Sequence, residues 1–196
     1  TFGCAKKYEN KFVENRNFGQ GDFYEGCIAR LKRTNKLIKE FKIKYKDLII
    51  IDDIMDKQFV VLKRESSYYK PIYCFYSIKS KEANKVELKK SFYKKLPYTI
   101  SYELSQDERI FEDFTDKNNF IIINLFNPTS IMYDLQEQYS FNKFFDVNIT
   151  NYKFNINGEW VCPEYKANEF VNDYAELKYK NDMFKYQHER RFIIHN

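Results

Sequence analysis

Apolar residues occur in short runs bounded by turn-forming residues, and this pattern is the feature that most limits the fold. Leu48–Ile51 and Gln58–Leu62 have strand length and are joined by the Asp-rich turn Asp52–Lys57. Pro71–Ser77 and Phe120–Leu125 are continuously apolar, which predicts strands in the interior of a sheet. No run approaches the roughly 18 apolar residues that a membrane-spanning helix needs. We therefore expect a fold built around strands, with no membrane partner.

Segments with helical character separate these strands. The sequence predicts a basic helix over Lys79–Leu96 and an acidic helix over Ser105–Phe114. It predicts two further helices, one beginning at Asn127-Pro128, which is a typical helix start, and one over Tyr165–Lys178. Residues 36–47 fit a helix and a strand equally well, because their apolar residues match both periods.

The C-terminal third completes the predicted elements. Asn157-Gly158 is a typical type I′ turn, which predicts a hairpin between Val147–Phe154 and Glu159–Cys162. Met183–His195 is predicted as the last strand. Because helices and strands alternate irregularly, residues 1–196 are predicted to form a single α+β domain with a mixed, largely antiparallel sheet and flanking helices.

The cysteines indicate the redox compartment. The chain has four of them, Cys4, Cys27, Cys74 and Cys162. Their spacing fits no metal site, and a chain of 196 residues buries enough surface to fold without disulfides. We therefore predict four reduced thiols, no bound metal and a cytoplasmic location. The chain begins at Thr1 rather than at a methionine, which is consistent with a missing leading segment.

Charge is unevenly distributed along the chain. Residues 1–100 carry 23 Lys and Arg against 12 Asp and Glu, whereas residues 101–196 carry 10 against 16. Such asymmetry suits a nucleic-acid or acidic protein partner, and a solvated basic surface is the alternative. Basic residues interleaved with aromatic ones are the candidates for contacts to single-stranded nucleic acid, namely Arg30, Arg33, Lys42, Lys44, Lys89, Lys90, Lys94 and Lys95.

The segment Tyr186–Phe192 is the strongest candidate for a working surface. Side chains alternate between the two faces of a strand, so Gln187, Glu189 and Arg191 would share one face. Burying this row is costly, so we expect it to face solvent, a cleft or a matched polar network. In a cleft, Gln187 and Glu189 would hold a ribose or base, and Arg191 would bind a phosphate or carboxylate through its fork. An internal Glu189–Arg191 salt bridge on an exposed sheet face is the alternative.

Three short motifs together resemble a large group of uncharacterised bacterial and phage proteins. Members of that group have an early Asp-x-x-(Glu)-Gly loop, a central Cys-Phe-aromatic-Ser strand and a C-terminal aromatic-(Glu/Gln)-x-Glu-x-Arg element. This chain has Asp22, Glu25 and Gly26 in the first, Cys74–Ser77 in the second and Tyr186–Phe192 in the third. The resemblance adds Asp22 and Glu25 to the candidate ligand-binding residues. It also implies a role in phage–host conflict, because members are often encoded near phage-defence genes or in prophages.

Gln187-x-Glu189 also resembles the Gln/Glu-x-Glu pair of ADP-ribosyltransferases. In those enzymes the last Glu stabilises the oxocarbenium-like centre as nicotinamide leaves, which would make Glu189 catalytic and NAD the cofactor. Three functions therefore stay open at this point. The first is a domain that recognises a nucleotide or nucleic acid, the second is a non-enzymatic protein-binding module such as an inhibitor or sensor subunit, and the third is an ADP-ribosyltransferase-like enzyme.

Overall fold

The computed structural model describes residues 4–7, 9–10, 22–76, 83–90, 98–104, 128–166 and 174–195, of which 83–90 and 98–104 are described by their backbone. Its strands are β1 (Cys27–Lys32), β2 (Leu48–Asp52), β3 (Phe59–Arg64), β4 (Ile72–Tyr76), β5 (Ala83–Lys90), β6 (Tyr98–Leu104), β7 (Lys143–Asn148), β8 (Thr150–Tyr152), β9 (Trp160–Val161), β10 (Tyr179–Asn181) and β11 (Glu189–His195). Its α-helices are α1 (Leu37–Lys44), α2 (Glu65–Tyr68), α3 (Pro128–Tyr139) and α4 (Pro163–Lys166). Two 3₁₀ helices cover Ala175–Lys178 and Asp182–Gln187. The predicted α+β class is confirmed.

The first sheet has the strand order β2-β3-β1-β9, and its pairs are antiparallel. The predicted turn Asp52–Lys57 joins β2 to β3. Helix α1 packs on this sheet through Phe41, whose ring contacts the buried cluster formed by β1 and β3. Residues 36–47 are therefore mainly helical. Phe41 and its neighbours form the one face of α1 that packs on the sheet, as in an amphipathic helix.

The second sheet has the order β4-β11-β7, with β11 paired antiparallel to both neighbours. One face of β11 packs Phe192 and Ile194 against Met132 of α3. Its other face packs Ile193 against Leu177 and Ile72. Arg191 lies where β11 becomes buried on both faces, and this position places its side chain inside the protein.

Two predicted elements are wrong because pairing between distant residues outweighs local pattern. Lys79–Leu96 was predicted as a helix, but β5 lies within it and pairs antiparallel with β6. Its residues alternate in character from Val86 to Lys89, and that period of two matches the pairing. The predicted hairpin around Gly158 is also wrong, because β9 pairs with β1 and β8 pairs in parallel with β10. A tight turn is present, with Gly158 at φ +76°, but it is not the predicted type I′ turn, because Asn157 does not have a positive φ.

The last predicted strand is shorter than expected. Residues Asp182–Gln187 form a 3₁₀ helix that Asn181 caps by accepting a hydrogen bond from the Met183 amide at 3.1 Å. The left-handed His188, at φ 41°, then turns the chain into β11.

One further strand prediction is wrong in its position, and two segments cannot be compared with the structure. The segment Pro71–Ser77 contains β4, which is an edge strand of the described three-stranded sheet and not its central strand. Ser105–Phe114 and Phe120–Leu125 lie outside the described residues. In the part of the chain that the structure describes, no helix is long and apolar enough to span a membrane.

Candidate functional site: a buried ion cluster

The tight loop before β1 carries two of the candidate residues. The Asp22 side chain accepts a hydrogen bond from the Tyr24 amide at 2.8 Å, which folds the backbone into a local turn. Gly26 follows in the left-handed region at φ +65°, and a Cβ added there would lie 3.1 Å from the Cβ of Ala5. Glycine therefore suits both the turn and the close packing, and this geometry places Glu25 inside the protein.

Glu25 meets Arg191 of β11 in a fully buried bidentate ion pair. Arg191 Nη2 lies 2.9 Å from Oε2 of Glu25, and Nη1 donates to Oε1. Nη1 also donates to the Leu177 carbonyl at 2.7 Å. The fork that the sequence assigned to a ligand's phosphate therefore binds Glu25, and Arg191 joins the N-terminal loop to the C-terminal strand.

Glu189 occupies the space between two cations. One carboxylate oxygen accepts from Nε of Arg191 and the other from Nζ of Lys180. Lys180 also donates to Oε1 of Gln187 at 2.8 Å. Gln187, Glu189 and Arg191 thus converge in one matched polar network, although Gln187 lies in the 3₁₀ helix rather than in the strand. This group, with Asp22, Glu25 and Lys180, is called the buried ion cluster below.

The electrostatics of Glu189 differ from those of a catalytic carboxylate that waits for substrate. Burial opposes its ionisation, but the Arg191 and Lys180 charges outweigh burial and hold the pKa of this carboxyl well below its usual range. Both oxygens already contact the protein's own cations. Glu189 is thus suited to fix Arg191 and Lys180 in place, which is a positioning role.

Asp22 is the exception within the cluster. Its Oδ2 atom is buried and has no hydrogen-bond partner, and no cation of the described residues lies within salt-bridge distance of it. Burial and, after it, the Glu25 charge raise the pKa of Asp22 to about 7, although Lys180, the Tyr24 amide and Lys63 act in the opposite direction. Near neutral pH this carboxyl is therefore divided between its protonated and ionised forms.

Another buried oxygen without a hydrogen-bond partner lies in β8. The hydroxyl of Tyr152, in β8, is buried without a hydrogen-bond partner. Burial raises the pKa of Tyr152 well above its ordinary value, and the charges of Cys27, Asp22 and Glu25 add to the effect. Its ring stacks on Trp160 with a centroid separation of 3.9 Å.

The candidate nucleic-acid residues are dispersed. Arg30 is buried, with Nε 2.5 Å from Asp53 and its guanidinium 3.8 Å from the Phe59 ring, so it is engaged inside the protein. Arg33 is partly exposed and pairs with Asp52 at 2.7 Å. The other candidates are spread along the chain: Lys42 and Lys44 are exposed on α1, Lys89 and Lys90 lie in β5, and Lys94 and Lys95 lie outside the described residues.

The cysteines are present as thiols, and two of them lie near the cluster. Cys74 of β4 is the cross-strand partner of Arg191, and Cys27 follows Gly26 directly. Burial raises the pKa of both thiols, so neither is a reactive thiolate. Within the described ranges, no group of three His, Cys, Asp or Glu side chains could hold a metal ion.

Sequence reasoning missed two members of this region. Lys180 lies in a three-residue strand, and nothing in its neighbourhood distinguishes it from the many other lysines. Tyr152 is one of 17 tyrosines, and it was assigned to a hairpin arm that does not form. The Asp22–Gly26 loop and the Glu189–Arg191 pair are 163 or more residues apart in the sequence, and the fold brings them together.

Comparison of the chain with models of protein families, with curated proteins and with solved structures gave no match.

Proposed function

We propose that the protein is a ligand-recognition domain that binds a nucleotide or nucleic acid next to the buried ion cluster. One observation carries this proposal, namely that Asp22 keeps a buried carboxylate oxygen without a partner while the other charges of the cluster are matched. Buried polar groups in native proteins are nearly always hydrogen-bonded, so an open acceptor at a buried site indicates a missing partner. A cytoplasmic role in phage–host conflict belongs to the same proposal and rests on the family resemblance.

The charged residues of the cluster have different roles in this proposal. Arg191 donates to both Glu25 and Glu189, and these contacts hold the loop and the strand in place. Asp22 is then the residue that contacts the ligand, and a carboxylate accepts hydrogen bonds from ribose hydroxyls or from the amino groups of bases. Since a carboxylate repels phosphate, the phosphates of a nucleotide would remain outside the buried ion cluster.

Calorimetric titration with nucleosides, nucleotides and short single-stranded DNA or RNA tests this proposal. We expect binding that Asp22→Asn weakens at least tenfold, because the amide keeps the size of the side chain but loses the charge. Asp146→Asn, which alters the partly exposed Arg190–Asp146 pair on the sheet that contains Arg191, is the matched control and should bind as the parent does. For nucleic acid, affinity should also fall steeply with salt. Absence of binding at low salt to every member of this panel would refute the proposal.

A protein-binding module is the second candidate, and a different observation favours it. Arg30 ties the loop at Asp53 to the turn at Gly158, because its guanidinium bonds to both. These two segments expose Ile54 (49%), Met55 (60%) and Ile156 (102%). A contiguous exposed apolar patch is typical of a docking surface for another protein, and in this second proposal the three side chains would form one.

This second candidate is tested by pull-down from infected and uninfected cells. Ile156→Ser should leave the melting temperature unchanged, because the side chain is fully exposed, and should abolish capture of the partner. Capture that is equal for the parent and the Ile156→Ser variant would exclude this surface. An effect of Ile156→Ser with none of Asp22→Asn would favour the module over nucleotide recognition.

A further inference from the structure

We infer that the open edge of β2 pairs with β2 of a second copy of the chain, which gives a symmetric dimer held by an antiparallel strand pair. In the part of the chain that the structure describes, β2 pairs with β3 alone and lies at the end of the four-stranded sheet. The inference goes beyond the proposed function, because β2 contains no residue of the buried ion cluster. Failure of either claim therefore leaves the other standing.

Hydrogen bonds at the two ends of β2 determine which of its backbone groups face the open edge. The Glu65 amide donates to the Asp47 carbonyl at 2.9 Å, and the Asp53 amide donates to the Phe59 carbonyl at 3.3 Å. Backbone groups point alternately to the two sides of an antiparallel strand. The odd-numbered residues of β2 therefore face β3, and its even-numbered residues face outward.

The outward residues are Leu48, Ile50 and Asp52. The Leu48 amide already donates to the Tyr45 carbonyl at 3.3 Å. Among the described residues, the amides of Ile50 and Asp52 and the carbonyls of all three outward residues have no hydrogen-bond partner. A row of unpaired backbone groups at a sheet edge is a template for pairing with another strand.

The sequence of β2 has none of the features that usually prevent such pairing. Protected edge strands carry lysine, proline or a bulge, whereas β2 reads LIIID and pairs with β3 without a register shift. Its apolar side chains are half-buried, with Leu48 and Ile50 packed against one cluster and Ile49 and Ile51 against others. The core thus fixes the strand, while its backbone edge stays available.

A symmetric pair centred on Ile50 uses the open groups of both copies. Ile50 then lies opposite the partner's Ile50, and each amide donates to the carbonyl of the other. Asp52 lies opposite the partner's Leu48, so its amide donates to that carbonyl. Every open amide of β2 finds an acceptor in this register, and the two-fold axis closes the assembly at two chains.

Charges at the two ends of β2 complement each other, which favours a second copy over an unrelated peptide. Lys46 precedes the strand, Asp52 ends it, and both are exposed. An antiparallel pair brings the start of one strand beside the end of the other, so Lys46 comes next to the partner's Asp52. Asp52 already pairs with Arg33 at 2.7 Å, and its side chain remains 76% exposed, so a second cation has access to it.

Exposed apolar side chains near β2 are distributed in the same complementary way. Ile43 (84% exposed) lies before the strand, and Ile54 (49%) and Met55 (60%) follow it. The antiparallel arrangement puts Ile43 of one protomer at the same end of the interface as the partner's Ile54 and the partner's Met55. Removing these side chains from water would add to the stability of the strand pair.

Sedimentation equilibrium and residue-resolved amide exchange test the inference together. We expect the average mass to rise from one chain to two between about 1 μM and about 500 μM, because a short strand pair is a small interface. The Ile50 and Asp52 amides should exchange at least tenfold more slowly at the high concentration than at the low one. The amides of Ile49 and Ile51, which face β3, should be protected at both concentrations.

Two variants at Asp52 isolate the backbone contribution. Asp52→Pro removes an outward amide, and proline is tolerated in edge strands whose N–H faces solvent. It should weaken dimerisation at least tenfold. Asp52→Ala keeps the amide and removes the same carboxylate, so it is the matched control and should lose less.

Charge reversal gives a second test that does not depend on proline. Lys46→Glu should weaken dimerisation about fivefold at low salt, because like charges then meet twice in a symmetric dimer. The double variant Lys46→Glu/Asp52→Lys should restore it. Lys39→Glu makes the same charge change at an exposed position of α1 and should dimerise as the parent does.

Several results would overturn the inference. A chain that stays monomeric at the highest concentration has no such interface. Protection of the Ile50 and Asp52 amides in the monomer would mean that the chain covers its own edge. A dimer in which these two amides stay unprotected, or one that neither Asp52→Pro nor Lys46→Glu weakens, would use another surface.

Discussion

The buried pair between Glu25 and Arg191 gives the most direct measure of what the ion cluster contributes to folding. Glu25→Gln preserves the size of the side chain but removes the charge that faces the Arg191 fork. Breaking a buried ion pair by removing one partner costs about 3–5 kcal/mol, because the other charge is left buried. Arg191 keeps its contact with Glu189, so we expect the lower end of this range, about 3 kcal/mol.

The same strand supplies the control. Arg190 and Asp146 form a bidentate pair that is partly exposed, and Asp146→Asn should cost only about 0–1 kcal/mol. Equilibrium urea unfolding of the parent and both variants, with the m-value checked for constancy, gives the two free energies. If Glu25→Gln costs no more than Asp146→Asn, then the cluster is not the desolvated network that its geometry indicates.

Three further predictions address other parts of the structure. Gly158→Ala should destabilise the fold by about 1 kcal/mol or more in urea unfolding, because φ is +76° and the new Cβ would lie 3.0 Å from Arg30; an unchanged midpoint would contradict this geometry. The folded state binds an extra proton on Asp22, so stability should fall as pH rises from about 4 to about 7, by at most about 4 kcal/mol, and Asp22→Asn should flatten this slope. Denaturation without reductant should expose four titratable thiols, and a count of two or none would contradict the reduced state.

The class of fold and the strands β2, β3 and β4 could be predicted from sequence, because their signals are local. The turn at Asp52–Lys57 and the apolar runs on either side determine β2 and β3 without help from distant residues. The segment Lys79–Leu96 shows the limit of this reasoning. Its lysines and leucines suit a helix, yet the cross-strand partner β6 stabilises an extended chain.

The candidate site could be predicted in part. Alternation along Tyr186–Phe192 grouped Gln187, Glu189 and Arg191, and the short motif at Asp22 supplied Glu25. Neither pattern could show that the Arg191 guanidinium already donates to Glu25, because that contact joins residues 166 positions apart. The sequence pattern also could not show that Asp22 Oδ2 lacks a hydrogen-bond partner. Lys180 and Lys63 leave it unpaired because they donate to other groups, Gln187 and Glu9.

The ionisation of Asp22 tests the central claim most directly, because the claim is that Oδ2 of this carboxylate lacks a hydrogen-bond partner while Glu25 and Glu189 are paired with cations. The Tyr24 amide donates to Asp22 at 2.8 Å, so its ¹H–¹⁵N chemical shift reports the charge on the carboxyl. In a pH titration followed by NMR, we predict a midpoint near 7, which moves to lower pH when a ligand binds. A midpoint near the ordinary value of 3.8, unaffected by every nucleotide added, would mean that Asp22 is already satisfied and would contradict the account.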